Sequence, residues 1–180
     1  MSQKTEEVLV TCATPANIFV KRGWIYVYKP SGTDFLKIQT IDLPDLEIPR
    51  YSILTPLSKI IVCHGWSNTH HGVTSFLDDE TGLYRKKSFY GKVSGGSGSG
   101  EQEMNKPLSM IQDEEGLILV VDYHNHRIQL LTEDLQLVRH LITKGLTYPR
   151  HICQHAKTGR MYVGQEDGSV LIFDALIVKE

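Results

Sequence analysis

Nothing in the 180 residues approaches the ~18 consecutive apolar residues that a membrane-crossing helix requires. The N-terminal run MSQKTEEVLV places no apolar core behind a basic start, so these residues do not read as a secretory leader. Cysteine is scarce as well. Cys12, Cys63 and Cys153 are odd in number and far apart, unlike the dense, even spacing of a disulfide scaffold. These features predict a soluble chain in the reducing cytoplasm, away from membranes. Charge of one sign is missing too. A formal net charge of −2 and a pI near 6.4 provide no overall basic field, so any nucleic-acid or anionic-membrane binding would need a local patch. Finally, there is no convincing amphipathic helix: every candidate window is broken by Gly or Pro, or is rich in sheet formers.

What is present is strand grammar. WIYVYK, KIIVC, GVTSFL, LILVVD, RIQLLT, RMYVG and SVLIFD are short β-branched or aromatic bursts separated by Gly, Pro, Asp and Asn. The bursts repeat. From Pro107 the order is strand, acidic turn ending in Gly116, strand, polar turn, strand, turn, strand; from Pro149, 42 residues later, the first three strands recur with Gly159 in place of Gly116. A further copy starts at Pro49, 58 residues before Pro107, its middle turn enlarged by HGWSNTHHG. Upstream, GWIYVYKPSGTDFLKIQTIDL matches the last two strands of the unit, and VLVTCA supplies a candidate second strand.

Four-stranded antiparallel units of about 40 residues, each covering the apolar face of the next, are the blades of a β-propeller. The predicted fold is therefore all-β and an incomplete propeller. Its expected blades are 1–43 (incomplete), 48–92, 107–143 and 149–180 (incomplete), about 3 to 4 of a probable six. The stretch SFYGKVSGGSGSGEQEMNKP holds five glycines and four serines. It falls between the outer strand of one unit and the inner strand of the next, which makes it an interblade crossover. A phosphate cradle is excluded, because Gly100 is followed by EQEMNKP where a Walker loop needs Lys and Ser or Thr opening a helix. No cofactor is expected.

The Pro107 copy, GGSGSGEQEMNKPLSMIQDEEGLILVVDYHNHRIQLL, resembles the NHL repeat: a glycine-rich run, a proline, a strand, a Gly turn, an apolar strand ending in Asp, then Asn125, His126 and the Leu130/Leu131 region. The likeness covers roughly residues 24 to 175 and is weaker in the other copies, since QEDGSVLIF lacks the Asn-His-Arg. It implies kinship with the C-terminal propellers of tripartite-motif (TRIM) proteins, which usually close with six blades. That would make the chain a protein-interaction module, the substrate-recognition region of a TRIM-like ubiquitin ligase, with no catalysis of its own. Ligase chemistry would need RING or B-box regions, and the sequence has neither a zinc-spaced Cys/His ladder nor a heptad run. An open arc of blades leaves one face at each end without a neighbour, so either the chain is a fragment or it self-associates or recruits a partner.

Strand parity puts the crossover and the turn between the second and third strands at the same end of every blade. That end gathers five of the eight histidines, His64, His70, His71, His124 and His126, together with Trp66, Tyr123, Glu101 and Glu103. Histidine and aromatics on one rim suit a partner surface, and a metal site is disfavoured because fixed ligand spacing is missing. Asp122 and Arg127 bracket the turn YHNH and are expected to pair across it, with Asn125 in a left-handed conformation. RNA is the alternative partner. Arg85, Lys86 and Lys87 are interleaved with Tyr84, Phe89 and Tyr90, a composition suited to phosphates and bases, although it also suits an exposed edge strand. A Cys63–His64 nucleophile pair is disfavoured, since neighbours on a strand point to opposite faces.

Overall fold

β-Branched runs bounded by turn residues become four antiparallel sheets in the computed structural model, which describes residues 7–13, 23–43, 46, 48–65, 70–81, 83–91, 97–142 and 144–174. The first sheet comprises β1 (Val8–Ala13), β2 (Gly23–Ser31) and β3 (Asp34–Leu43). The second comprises β4 (Pro49–Leu54), β5 (Lys59–His64), β6 (Gly72–Asp78) and β7 (Tyr84–Gly91). The third comprises β8 (Pro107–Gln112), β9 (Ile118–Asp122), β10 (Arg127–Leu131) and β11 (Leu137–Ile142). The fourth comprises β12 (Pro149–Gln154), β13 (Met161–Gln165) and β14 (Val170–Phe173). Strands pair in chain order within each sheet, and no α-helix occurs among the described residues.

The sheets stack because each middle strand is apolar on both sides. In β5, Ile60 and Val62 pack with Ile25, Val27, Ile41 and Leu43 of the first sheet, whereas Ile61 and Cys63 face Met110, Ile118 and Val120 of the third. In β9, Ile118 and Val120 look back to the second sheet, while Leu119 and Val121 meet Ile152, Met161 and Val163 of the fourth. Alternation along a strand thus feeds two cores at once, and each fully buried side chain of this size contributes about 1.5–3 kcal/mol.

Every inner strand begins alike. Pro49, Pro107 and Pro149 pair with the ends of β5, β9 and β13, and a bulge follows each proline at Arg50, Leu108 and Arg150. Proline has no N–H for the ladder, so it opens the strand and the bulge absorbs the register shift. The preceding residues, Ile48, Lys106 and Tyr148, have φ of 51°, 57° and 48°. This left-handed geometry, costly ahead of proline and most costly at β-branched Ile48, turns the crossover sharply into the blade.

The first sheet enters the unit at its second strand. Gly23 at the start of β2 pairs with Leu43 at the end of β3, just as Gly72 of β6 pairs with Gly91 of β7. β1 lies against β4, with the Thr11 and Ser52 hydroxyls 2.7 Å apart. The last sheet stops at its third strand among the described residues. The four sheets do not close into a ring.

Candidate functional site: the crossover face

Asp122 is the hub that organises this face. It is fully buried at the end of β9. Its Oδ1 accepts the Asn105 backbone N–H at 2.7 Å, and its Oδ2 accepts Asn125 Nδ2 at 2.8 Å, Arg127 Nε at 2.9 Å and Gln129 Nε2 at 2.8 Å. Burial pushes the carboxyl above the usual aspartate range, and these donors with the guanidinium pull against that rise. The same side chains reach on to the crossover. Asn125 donates to Gly98 O at 2.8 Å, Arg127 Nη2 to Gly100 O at 2.8 Å and Glu103 O at 2.7 Å, and Gln129 to Glu103 O at 2.9 Å. Tyr90, from the preceding sheet, donates to Gln129 Oε1 at 2.6 Å. The glycine-rich segment from residue 97 onward is therefore a folded strap, with Met104 fully buried in the core between the second and third sheets. At Gly98 in the strap a Cβ would stand 2.6 Å from Glu103 Cβ, so a larger residue there would displace the Glu103 side chain.

The expected Asp122–Arg127 pair thus forms, with one correction to the turn between them. Tyr123–Asn125 is a turn of 3-10 helix, and the left-handed residue is His126, at φ 51°, not Asn125. Asn125 keeps a right-handed backbone because its side chain is committed to Asp122 and Gly98 on either side.

His71 and His126 occupy equivalent positions just before the third strand of their sheets. Each accepts, through Nδ1 at 3.0 Å, the backbone N–H of the left-handed residue that opens the next blade: Lys106 for His71 and Tyr148 for His126. His71 is buried, as is His64, whose Nε2 lies 2.8 Å from Thr74 Oγ1 and whose burial lowers its pKa to about 3. Neither of these histidines presents its ring to solvent. His70 is exposed, and Trp66 lies outside the described residues. Among the described residues no group of three or more His, Cys, Asp or Glu side chains is placed to hold a metal ion.

The surface above this framework is an aromatic cluster spanning the third and fourth sheets. The Tyr123 ring stacks on His124 at 4.6 Å between centroids and meets Tyr148 at 5.3 Å; His126 meets Tyr148 edge-on at 4.3 Å. Arg150 lies 5.5 Å from the Tyr123 ring and pairs with Glu166 at 2.6 Å, and the Tyr123 hydroxyl donates to the same carboxylate. Both hydrogen bonds hold the Glu166 carboxyl below its ordinary range, the Tyr123 hydroxyl contributing most. Lys106 Nζ reaches His124 Nε2 at 3.5 Å; burial, then the charges of Lys106 and His126, lower the pKa of His124. Tyr148 is 39% exposed, and Arg150 and Glu166 are exposed. Glu101 is exposed on the strap, and Glu103 is half-buried with its carboxylate turned back to accept the Gly100 N–H. Tyr148 and Arg150 went unnoticed in the sequence. Their signal was the position flanking each strand-opening proline, shared by Ile48 with Arg50.

The basic run is less concerted than its composition suggests. Arg85, Lys86 and Lys87 are exposed on β7, the edge of the second sheet. Arg85 pairs with Asp79 at 2.6 Å, holding that carboxyl down at about 2, chiefly through the Thr81 hydroxyl and then Arg85. Lys86 lies 5.2 Å from the centroid of the Phe89 ring, Tyr84 packs against the core of the first two sheets, and Tyr90 is buried.

No protein-family model matches the sequence, and no curated protein aligns with it significantly. Solved structures do. The Cps50 (Swd1) β-propeller domain of Myceliophteria thermophila superposes with a TM-score of 0.55 at 13% identity, covering 86% of this chain and 49% of that one. The fold is an open β-propeller. An auxiliary nutrient binding protein from Bacteroides thetaiotaomicron matches this propeller with a TM-score of 0.51 at 12% identity, covering 84% and 45% of the two chains. A Bacteroides caccae protein of unknown function gives 0.50 at 12% identity, covering 86% and 56%. The chain spans about half the length of each. No helix among the described residues is long and apolar enough to cross a membrane.

Proposed function

We propose that this propeller is an NHL-type binding module that captures a protein partner on its crossover face, acting in the cytoplasm as the substrate-recognising region of a TRIM-like ubiquitin ligase. One observation carries the reading. The exposed Tyr148 ring, resting on the buried Tyr123 and beside the half-buried His124, forms with the flanking Arg150–Glu166 pair an aromatic and charged patch built from two blades. Such a patch supplies large, rigid contact area at little cost in side-chain entropy, the chemistry of interface hot spots. The framework beneath supports the NHL assignment, since the Asp, Asn, His and Arg of that repeat are the residues that tie the crossover to the blade. No catalytic role is assigned to any residue here.

Single-stranded RNA is the weaker alternative. Glu101, Glu166 and Asp167 share the crossover face, and of the interleaved aromatics in the basic run Tyr90 is buried beneath the surface. The test is photo-crosslinking from a probe at the exposed position 147 in cells, with Tyr148→Ser and Arg150→Glu each introduced into the probe-bearing chain as comparators. A protein adduct that both substitutions abolish while the fold is retained supports the proposal. Crosslinks to RNA that fall steeply with added salt and with neutralisation of Arg85, Lys86 and Lys87 would replace it with the RNA reading.

A further inference from the structure

Tyr148, the exposed ring of the capture face, stands at a junction with a sheet on either side, the third before it and the fourth after it. Its backbone, at φ 48° immediately before Pro149, is left-handed, a conformation that persists only where the surroundings hold it. Two of the contacts that hold it come from one side chain. His126 Nδ1 accepts the Tyr148 N–H at 3.0 Å, and the same imidazole meets the phenol ring edge-on at 4.3 Å between centroids. On the other side the Tyr148 carbonyl accepts the Glu166 N–H at 3.1 Å. His71 makes the equivalent Nδ1 bond to the Lys106 N–H at the preceding junction, but His71 is enclosed, whereas His126 is half-buried.

A ring nitrogen that accepts a hydrogen bond carries no proton, and imidazole is the side chain whose charge ordinarily changes between about pH 5 and pH 8. A proton taken from solvent by Nδ1 turns the acceptor into a second donor, and the bond from the Tyr148 N–H breaks. The charged and titratable groups around His126 are Tyr123 and His124 on its own turn, Lys106 against His124, Tyr148, Arg150 and Glu166 from the fourth sheet, and the buried Asp122–Arg127 pair at the base of the turn. Glu166 is engaged by Arg150 and Tyr123, and Asp122 by Arg127, Asn125 and Gln129. Both carboxylates are thus committed to other donors. We infer that His126 is a positioning residue that makes the capture face acid-sensitive: neutral, it fixes Tyr148 for a partner, and protonated, it frees the Tyr148 backbone and ring so that the partner is released. The inference rests on the reading of this face as a partner surface.

Nuclear magnetic resonance of the 15N-labelled 180-residue chain tests the device without a partner. The expected results are a 15N–15N coupling across the bond between Tyr148 N and His126 Nδ1 at about pH 8, its loss by about pH 5, and protonation of Nδ1 over the same range. Hydrogen-exchange protection of the Tyr148 N–H should fall about tenfold relative to that of the Lys106 N–H, the equivalent of one hydrogen bond. A coupling that is missing at the higher pH or survives at the lower one overturns the inference. So does protection that falls equally at both junctions, which would mark a general loosening of the fold. The adduct formed from the probe at position 147 in buffered extract supplies the binding arm. Its yield should drop on acidification, and in His126→Asn, which tolerates the left-handed backbone and cannot titrate, the yield should be independent of pH. A wild-type yield indifferent to pH while the bond opens would overturn the link to binding. Absence of any adduct at every pH would instead refute the capture reading, and with it the release of a partner, while the resonance measurements still decide whether the catch exists.

Discussion

Nδ1 of His71 accepts the backbone N–H of Lys106 at 3.0 Å, and this single bond joins the start of β6 to the left-handed residue that opens the next blade. The Tyr148 N–H repeats it on His126 at the following junction. A strained backbone persists only where its surroundings over-determine it, and here the imidazole is part of that surround. Replacing His71 with Leu leaves the Lys106 N–H without this acceptor beneath the strap, an expected cost of about 1–3 kcal/mol. Urea denaturation should show a lowered midpoint for His71→Leu. A midpoint unchanged from wild type would mean that the bond does not hold the junction.

The Asp122 hub predicts a specific non-additivity. Arg127→Leu strands a carboxylate at a site that is fully buried, and breaking a buried pair from one side costs about 3–5 kcal/mol. Asp122→Asn strands the guanidinium in turn. The double variant removes both charges, so its loss should be smaller than the two single losses added together, by about 1–3 kcal/mol of coupling. Chemical denaturation of the four proteins measures it, and strict additivity would deny the pair its organising role.

Much of this architecture was legible because the strand-opening prolines, the turn glycines and the two-sided apolar middle strands recur in the same order, 58 and 42 residues apart at the prolines. The pairing of Asp122 with Arg127 was legible for the same reason, as four turn residues place them at facing strand ends. The inner position of His64 and His71 was not, because a polar residue beside a turn gives no hint that it is enclosed, His64 against Thr74 and Phe89 of its own sheet and His71 against the Lys106 N–H. Gln129 was invisible for a related reason. It sits mid-strand in an apolar run, and its value comes from a tyrosine 39 residues upstream and a crossover carbonyl. The aromatic surface joins Tyr123 to Tyr148 across two sheets, a contact that no local pattern contains.

Burial of His64 predicts how stability depends on acidity. Its pKa falls from 6.5 to about 3, chiefly through desolvation. The folded state therefore resists a proton that the unfolded chain accepts. The stabilisation is fully present above pH 6.5 and erodes as pH drops toward 3, by up to about 1.4 kcal/mol per pH unit. His64→Gln keeps a polar partner for Thr74 and cannot titrate. The difference in unfolding free energy between wild type and His64→Gln should thus move in the variant's favour between pH 6.5 and 4. A constant difference across that range would place the imidazole in contact with water.

Met104 distinguishes a strap from a linker. A flexible glycine-rich linker would tolerate any side chain there, yet the Met104 thioether is fully enclosed with Tyr90, Met110 and Val120. Met104→Ala removes apolar volume from a packed site, and such truncations cost about 2–5 kcal/mol. Gln102, two residues earlier and exposed, provides the control: Gln102→Ala should stay within about 0.5 kcal/mol of wild type. Thermal melts of the two variants separate the cases. Equal melting temperatures would mean that the crossover hangs free of the core, and the rigid platform proposed for partner capture would lose its support.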